Sequence, residues 1–333
     1  MEATIEEMVS RLRTAESCDE ELILVQGWAD AGRIDELLHL GEALLEEDSA
    51  AAAAVRWRVI TALAARPGAF SVVAALQLAG DERIPVPEKR RAAALLAAGQ
   101  PLENLDAFFA DAGPKDEVLA CLLQETVLRH GDLSAVPEAV AFAEALHGTH
   151  PLGELPLRLA EFEHVRAVTE PYRTLPLWPD QGGAEPTATV KRLPWALDEV
   201  APGTSHRLAG AGGRVESGLF RLSAPWQPDL LTSLPLECLA GAERVRVREL
   251  ELAGAFAAVF ATTAQEGSGA YARLHTRQAL ARLADVARPG EARCRWWQFA
   301  VDGPWFYREP GSLGLLAVRP DGAVAVLAAT GAD

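Results

Sequence analysis

Tyr271, Arg273, His275 and Arg277 stand together just after the break Glu266-Gly267-Ser268-Gly269. Tyrosine and histidine can move protons, and a guanidinium binds anions. Arg273 and Arg277 are spaced i, i+4 and share a helical face. Glycines before a helix leave backbone N–H groups open, and with Arg273 nearby they could hold an anion. The alternative is a surface helix with solvated arginines behind a plain Gly-Ser-Gly linker. Arg273 and His275, two residues apart, point about 200° apart on a helix. At most one of the two can therefore line a given pocket, which weakens an enzyme built on them.

A second candidate group is aromatic. Trp296, Trp297, Phe299, Trp305, Phe306 and Tyr307 lie across the turn signal Asp302-Gly303. In a strand, Trp297, Phe299 and Val301 share one face and Trp296 and Gln298 the other. If helices cover one face, one tryptophan is left for the opposite side. There it is either a recognition anchor or a residue packed under the proline-rich segment that precedes the domain. The candidate ligand-binding residues are thus Tyr271, Arg273, Arg277, Trp296, Trp305 and Tyr307; no catalytic residue is assigned.

Other chemistries find weaker support. The seven histidines are scattered, and His147-Gly-Thr-His150 has no cysteine or HExxH beside it, so no metal site and no cofactor is expected. Gly210-Ala-Gly-Gly-Arg-Val-Glu-Ser-Gly218 fails GxGxxG at Val215 and lacks the Lys-Ser/Thr ending of a P-loop. There is no Gly-x-Ser-x-Gly elbow. Cys18, Cys121, Cys238 and Cys294 form no CxxC and read as free thiols of a reducing cytosol.

The chain of 333 residues carries 31 Lys/Arg against 47 Asp/Glu, a net charge of −16. Residues 1–165 hold 13 basic and 29 acidic residues, and residues 166–333 hold 18 of each. The whole excess lies in the first half. An acidic balance argues against nucleic acid and against an anionic membrane surface. The acidic N-terminus is unlike a signal peptide, and the uncharged stretch Leu252–Ala261 is too short for a membrane span. A cytoplasmic protein is expected.

The first half reads as helix. Ile34, Leu37, Leu38, Gly41, Leu44 and Leu45 follow i, i+3, i+4, i+7 spacing, and Val118, Leu119, Leu122, Leu123 and Val127 repeat it. Ser17-Cys-Asp-Glu20 reads as a capping box, and Pro87 opens another helix. Gly80, Gly99, Gly113, Gly131 and Gly148 read as helix ends. Gly80, Gly113 and Gly148 are 33 and 35 residues apart, the period of a helix-pair repeat. Tetratricopeptide and ankyrin signatures are absent, so the expectation is a HEAT-like array, with a non-repetitive bundle as the alternative.

From Tyr172 to Gly213, Pro176, Pro179, Pro186, Pro194 and Pro202 interrupt any helix. The segment reads as a connection carrying Trp178 and Trp195. Then strands are expected at 217–223, 244–248, 294–301, 314–319 and 323–329, the last two flanking Pro320-Asp-Gly322. Helices are expected at 249–265 and 270–287, the first apolar around most of its circumference. The fold class is therefore α+β: an all-α helical-repeat domain (1–165), a Pro/Gly-rich connection (166–213), and a small α+β domain (214–333) with a mostly antiparallel sheet and two helices on one face.

Gly269-Ala-Tyr271, Trp305-Phe-Tyr307, Leu313-Gly-Leu-Leu-Ala-Val-Arg-Pro-Asp-Gly322 and Ala325-Val-Leu-Ala-Ala-Thr330 resemble a family of uncharacterised proteins from high-GC Gram-positive bacteria. The resemblance implies a bacterial cytosolic protein and supplies no catalytic residue.

Two functional expectations follow. The first is a non-catalytic binding or adaptor protein. Its acidic helical surface would recruit a basic or mixed protein partner, including a toxin in an immunity pair, and its α+β domain would add an aromatic face. The second is an enzyme or small-molecule (anion) binder with a site between Tyr271 and the Trp305–Tyr307 strand.

Overall fold

The computed structural model describes residues 4–110, 113, 115–163, 188–195, 213–242, 244–264, 269–303, 305–306 and 312–330. The chain divides into two compact units. The first comprises Met1–Leu159 with Glu266–Ala270, and the second Ala160–Gln265 with Tyr271–Asp333.

The first unit is helical: α1 (Ile5–Leu12), α2 (Asp19–Ala31), α3 (Ile34–Leu44), α4 (Ala50–Ala65), α5 (Ala69–Gly80), α6 (Val86–Gly99), α7 (Glu117–His130) and α8 (Pro137–Leu146). Side-chain oxygens open several of them. Thr4 and Glu7 form a capping box at α1, Ser49 caps α4 through the Ala52 amide, and Asp116 caps α7 through the Leu119 amide. The box expected at Ser17–Glu20 does not form. Cys18 takes the N-cap position of α2, and the Ser17 hydroxyl donates to Asp19 Oδ2 at 2.7 Å instead.

The helices stack in two layers. α1, α3, α5 and α7 touch in succession, and so do α2, α4 and α6. Leu40, Leu44, Val55, Val59, Ile60, Leu63, Leu78 and Leu96 are fully buried between the layers' members. Gly41 lets Leu78 of α5 pack closely against α3, because a Cβ there would strike the Leu78 side chain. The glycine spacing brackets unlike segments: α6 with the 3-10 turns Leu102–Asn104 and Asp106–Phe109, then α7 with α8. Pro101, two residues past the end of α6, has no N–H to continue a helix. Gly113 ends no helix; it precedes the Asp116 cap.

The second unit holds one six-stranded sheet: β1 (Val190–Leu193), β2 (Arg214–Leu222), β3 (Arg244–Leu250), β4 (Arg295–Asp302), β5 (Leu313–Val318) and β6 (Ala323–Thr330), in the order β1-β2-β6-β5-β4-β3. Every neighbouring pair is antiparallel. Two helices accompany it, α9 (Leu252–Thr263) and α10 (Gly269–Ala284). β1 falls inside the stretch expected to be only a connection. The four residues of β1 are too few to show alternation, and a strand followed at once by Pro194 belongs at an edge, where β1 sits. Trp195 lies beneath the Arg282 guanidinium, 5.2 Å from it; Trp178 lies outside the described residues.

Pro320-Asp-Gly322 turns β5 into β6, with Gly322 at φ +79° and Val318 paired to Val324. Asp302-Gly303 is no tight hairpin. The β4–β5 ladder runs only from Arg295↔Val318 to Gln298↔Leu315, while β4 stays paired with β3 out to Asp302↔Arg244. Asp302 is held there by Arg246 at 2.8 Å.

α10 ends in a Schellman arrangement. The Val286 amide donates to the Ala281 carbonyl and the Asp285 amide to the Arg282 carbonyl, with Asp285 itself at φ +59°. Arg319 reaches the same end and donates to the carbonyls of Leu283 and Arg282 at 2.8 and 3.0 Å. A left-handed aspartate costs more than glycine. Its ion pair with Arg319, at 3.4 Å with the aspartate two-thirds exposed, returns little. Asp285→Gly is therefore expected to stabilise the second unit by about 0.5–1 kcal/mol, read as a raised midpoint in thermal denaturation.

Candidate functional site

α10 carries the polar group singled out above. The helix is buried on more than one side, and every residue from Ala270 to Thr276 is buried. This explains how Arg273 and His275 are both enclosed although they point apart. Tyr271 and His275, one turn apart, lie with their rings tilted by 31° and their centroids 6.1 Å apart. Thr276 and Thr263 bring their hydroxyls within 3.3 Å and so tie α10 to α9.

Arg273 and Arg277 share a face, as their spacing requires, and the group that meets them is Glu163, on a 3-10 turn at Glu161–Glu163. Arg273 Nε donates to Glu163 Oε1 at 3.0 Å and Nη2 to Oε2 at 3.1 Å. This is the two-pronged geometry that suits a guanidinium and a carboxylate. Arg277 Nη1 lies 3.0 Å from Oε2, and the Ala160 amide donates to the same oxygen at 2.7 Å. The Arg273 and Glu163 side chains have no exposed surface, and that of Arg277 is 17% exposed. Phe162 lies under Arg277 and edge-on to Phe256 of α9. Burial pushes the Glu163 carboxyl up, but Arg273 and then Arg277 outweigh it and hold it below the ordinary carboxylate value. Burial lowers Arg273, and Glu163 opposes that shift. Sequence reasoning found the arginines and missed the carboxylate. Glu163 stands 110 residues from Arg273 in a stretch with no periodic signal.

The N-terminal end of α10 also meets a carboxylate. The Ala270 amide donates to Glu125 Oε1 at 2.8 Å, and a Cβ on Gly269 would meet Leu128 and Glu125 Oε2 within 3 Å. The glycine is needed for this close approach. The anion at this amide is a side chain of the protein itself. Gly267 and Ser268 lie outside the described residues.

The aromatic group is core. Trp296, Trp297, Trp305 and Phe306 are all buried, none more than 9% exposed; Tyr307 lies outside the described residues. Trp297, Phe299 and Val301 pack with Trp305, Phe306, Trp226 and the leucines of 3-10 turns Pro228–Ser233 and Glu237–Leu239. Trp226 stands edge-on to Trp297 at 6.4 Å. No residue of α9 or α10 joins this cluster, yet α9 contacts β3, β4 and β5. It therefore covers the opposite face, which holds Trp296 and Gln298 by strand alternation. Both faces at β4 are thus covered, and the cover opposite the helices includes a segment (226–239) that carries no strand or helix signal.

The first unit holds a second polar cluster. Glu117 of α7 receives Arg90 Nε at 2.6 Å and lies 3.1 Å from His150 Nε2. The Leu152 amide donates to His150 Nδ1 at 3.2 Å, so the neutral ring carries its proton on Nε2 and gives it to Glu117. Burial pushes Glu117 up, but His150 and Arg90 bring it down to about 2. Cys121 lies close by, its Sγ 3.7 Å from Glu117 Oε1. Burial, then the charge of Glu117, pushes its thiol well up, which is the opposite of what a nucleophilic cysteine needs. Burial likewise raises the thiols of Cys238 and Cys294. His147 turns away from His150 and lies 3.7 Å from Glu154. Among the described residues no three or more His, Cys, Asp or Glu side chains are grouped to hold a metal ion, and no helix is long and apolar enough to cross a membrane.

Fold and site together define an α+β protein with a helical unit and an antiparallel-sheet unit, whose polar clusters are neutralised from within. The chain belongs to DUF6183, a family of unknown function, whose model matches residues 19–333. No curated protein and no solved structure matches it.

Proposed function

We propose that the protein is a non-catalytic binding protein that takes a basic or mixed-charge protein partner on its helical unit. One observation carries this reading. The large apolar side chains left well exposed among the described residues are Ile23 (74%), Phe70 (55%), Val73 (42%) and Val86 (46%), and all four lie in the helical unit. That unit's stretch of chain also carries nearly all of the acidic excess. Exposed apolar anchors on a unit of net acidic charge suit a partner of the opposite sign. The aromatic face expected on the sheet gives this reading no support, because its tryptophans are spent in the core. A ligand or enzyme site around Tyr271 has less support, since Arg273 and Arg277 already share an internal carboxylate.

The test is retention of host proteins on the immobilised full chain, followed by titration of the purified retained protein at low and high salt. Affinity is expected to fall as ionic strength rises and to fall at least about tenfold on Ile23→Asp or on Phe70→Ser with Val73→Ser. Binding that is indifferent to salt and to both sets of variants would sink the proposal.

A further inference from the structure

We infer that the partner-binding face is the one shared by α3 and α5, and that it takes a protein segment with basic side chains flanking an apolar one. The inference rests on the binding role proposed above and locates it. α3 and α5 run side by side and parallel, because their contacts keep a nearly constant offset in sequence. Gln77 Nε2 donates to Glu42 Oε1 at 2.6 Å, Leu78 packs over Gly41, and Arg83 pairs with Glu46. Phe70, Val73 and Gln77 are spaced i, i+3, i+7 and form one exposed stripe of α5. Asp35 and Glu42, spaced i, i+7, with Glu46 just past the helix end, form the adjoining stripe of α3. The offset that joins Glu42 to Gln77 places Phe70 beside Asp35.

The result is a two-part surface, with a phenylalanine and a valine open to water alongside Asp35, His39 and Glu42, and with Glu46, paired to Arg83, beyond them. Arg83, also paired with Asp81 at 2.8 Å, closes the far end. Phe70 and Val73 have nothing to gain from facing water, and a partner that covers them must also meet Asp35 and Glu42. An acidic segment, a nucleic acid or a second copy of this acidic unit would bring like charge against these carboxylates. An anionic membrane would do the same. A segment with lysine or arginine one turn on either side of a leucine or similar residue matches both stripes.

The probe is a synthetic helix-forming peptide of about 18 residues with leucines on one face and lysines flanking them. One control replaces its lysines with glutamate, and another replaces its leucines with serine. The full chain is expected to bind the first peptide and neither control. Phe70→Ser with Val73→Ser should weaken that binding at least tenfold, the change expected from two uncovered apolar side chains. Asp35→Lys with Glu42→Lys should weaken it and flatten its dependence on salt. Unchanged thermal midpoints would show that these surface variants fold. If the peptide fails to bind, or binds these variants as it binds the parent chain, the α3–α5 assignment is wrong. If Phe70→Ser with Val73→Ser instead converts a dimer to a monomer, the face is a self-contact and the assignment is again overturned. Host-protein retention lost in Ile23→Asp but kept in the α5 variants would leave the binding role standing at another face. Retention indifferent to every variant would remove both.

Discussion

Glu163→Ala is expected to destabilise the second unit by about 3–5 kcal/mol, the cost of breaking a buried ion pair by removing one partner. The reason lies in what remains. Arg273 keeps its charge, has no exposed side-chain surface, and loses the carboxylate that both of its prongs address. Arg277 loses the same partner but sits near enough to solvent to be rehydrated. The expected signature is therefore a cycle. Arg273→Met alone leaves Glu163 with one guanidinium and is costly. Glu163→Leu with Arg273→Met should cost much less than the single changes Glu163→Leu and Arg273→Met added together, because an apolar pair of similar volume replaces the charges. Denaturant titration of the four proteins measures the coupling, and additive effects would show that the pair is not an energetic unit.

The same pair sets a pH dependence. The folded carboxyl lies below its ordinary value, so between the two values the unfolded chain binds the proton and the folded chain does not. The contribution is complete above the ordinary carboxylate range, near pH 4, and is lost as the pH falls through the folded value. Acidification from pH 6 should therefore weaken the parent chain more than Glu163→Gln, whose amide does not titrate. A parallel fall in both would remove the assignment.

Gly314→Ala is the second large effect, about 2–4 kcal/mol by the overpacking it forces. Gly314 is the second residue of β5 and stands opposite Phe299, beyond the last paired residues of the β4–β5 ladder, Gln298 and Leu315. A Cβ there would run into the Phe299 carbonyl and come within 2.7 Å of the Phe299 ring. The carbonyl belongs to a strand fixed on its other side by β3, with Val247 paired to Phe299, so it cannot simply move away. The ring is fully packed, edge-on to Phe306 at 5.7 Å. Denaturant unfolding should show a lower midpoint with an unchanged slope. A substitution there within about 0.5 kcal/mol of the parent would mean that the strand shifts freely.

The elements were legible where pattern and length agreed. α3, α7, α9, β3 and the β5–β6 turn follow from periodicity and turn residues, and six of the eight residues of β6 are alanine or valine because both of its faces are buried. β1 was not legible, since four residues give too few repeats to show a period. The site was half legible. Arg273 and Arg277 announced a shared face by spacing, but spacing within one helix says nothing of what stands opposite. Glu163, Glu117 with His150, and Glu125 with Ala270 are partners brought together by tertiary packing. The aromatic residues misled for a related reason. Trp226 and the leucines of 228–239 that cover their face make short 3-10 turns, a geometry without the period of helix or strand. The exposed Phe70 and Val73 sit in α5, apolar on nearly all sides in sequence, where an outward stripe cannot be told from an inward one.

The strand order has a consequence for synthesis. β6 is the last of the described strands along the chain, yet it lies in the middle of the sheet, with β2 on one side and β5 on the other. Until residue 330 has emerged from the ribosome, β1–β2 and β3–β4–β5 share no hydrogen bond, and each offers an open apolar edge. At about 5–20 residues per second, β2 waits on the order of ten seconds for its partner. A chain cut short at Gly322 would keep both edges permanently, which is the kind of exposed template that joins other chains. Termination before β6 is complete should therefore yield aggregation rather than a merely weakened protein.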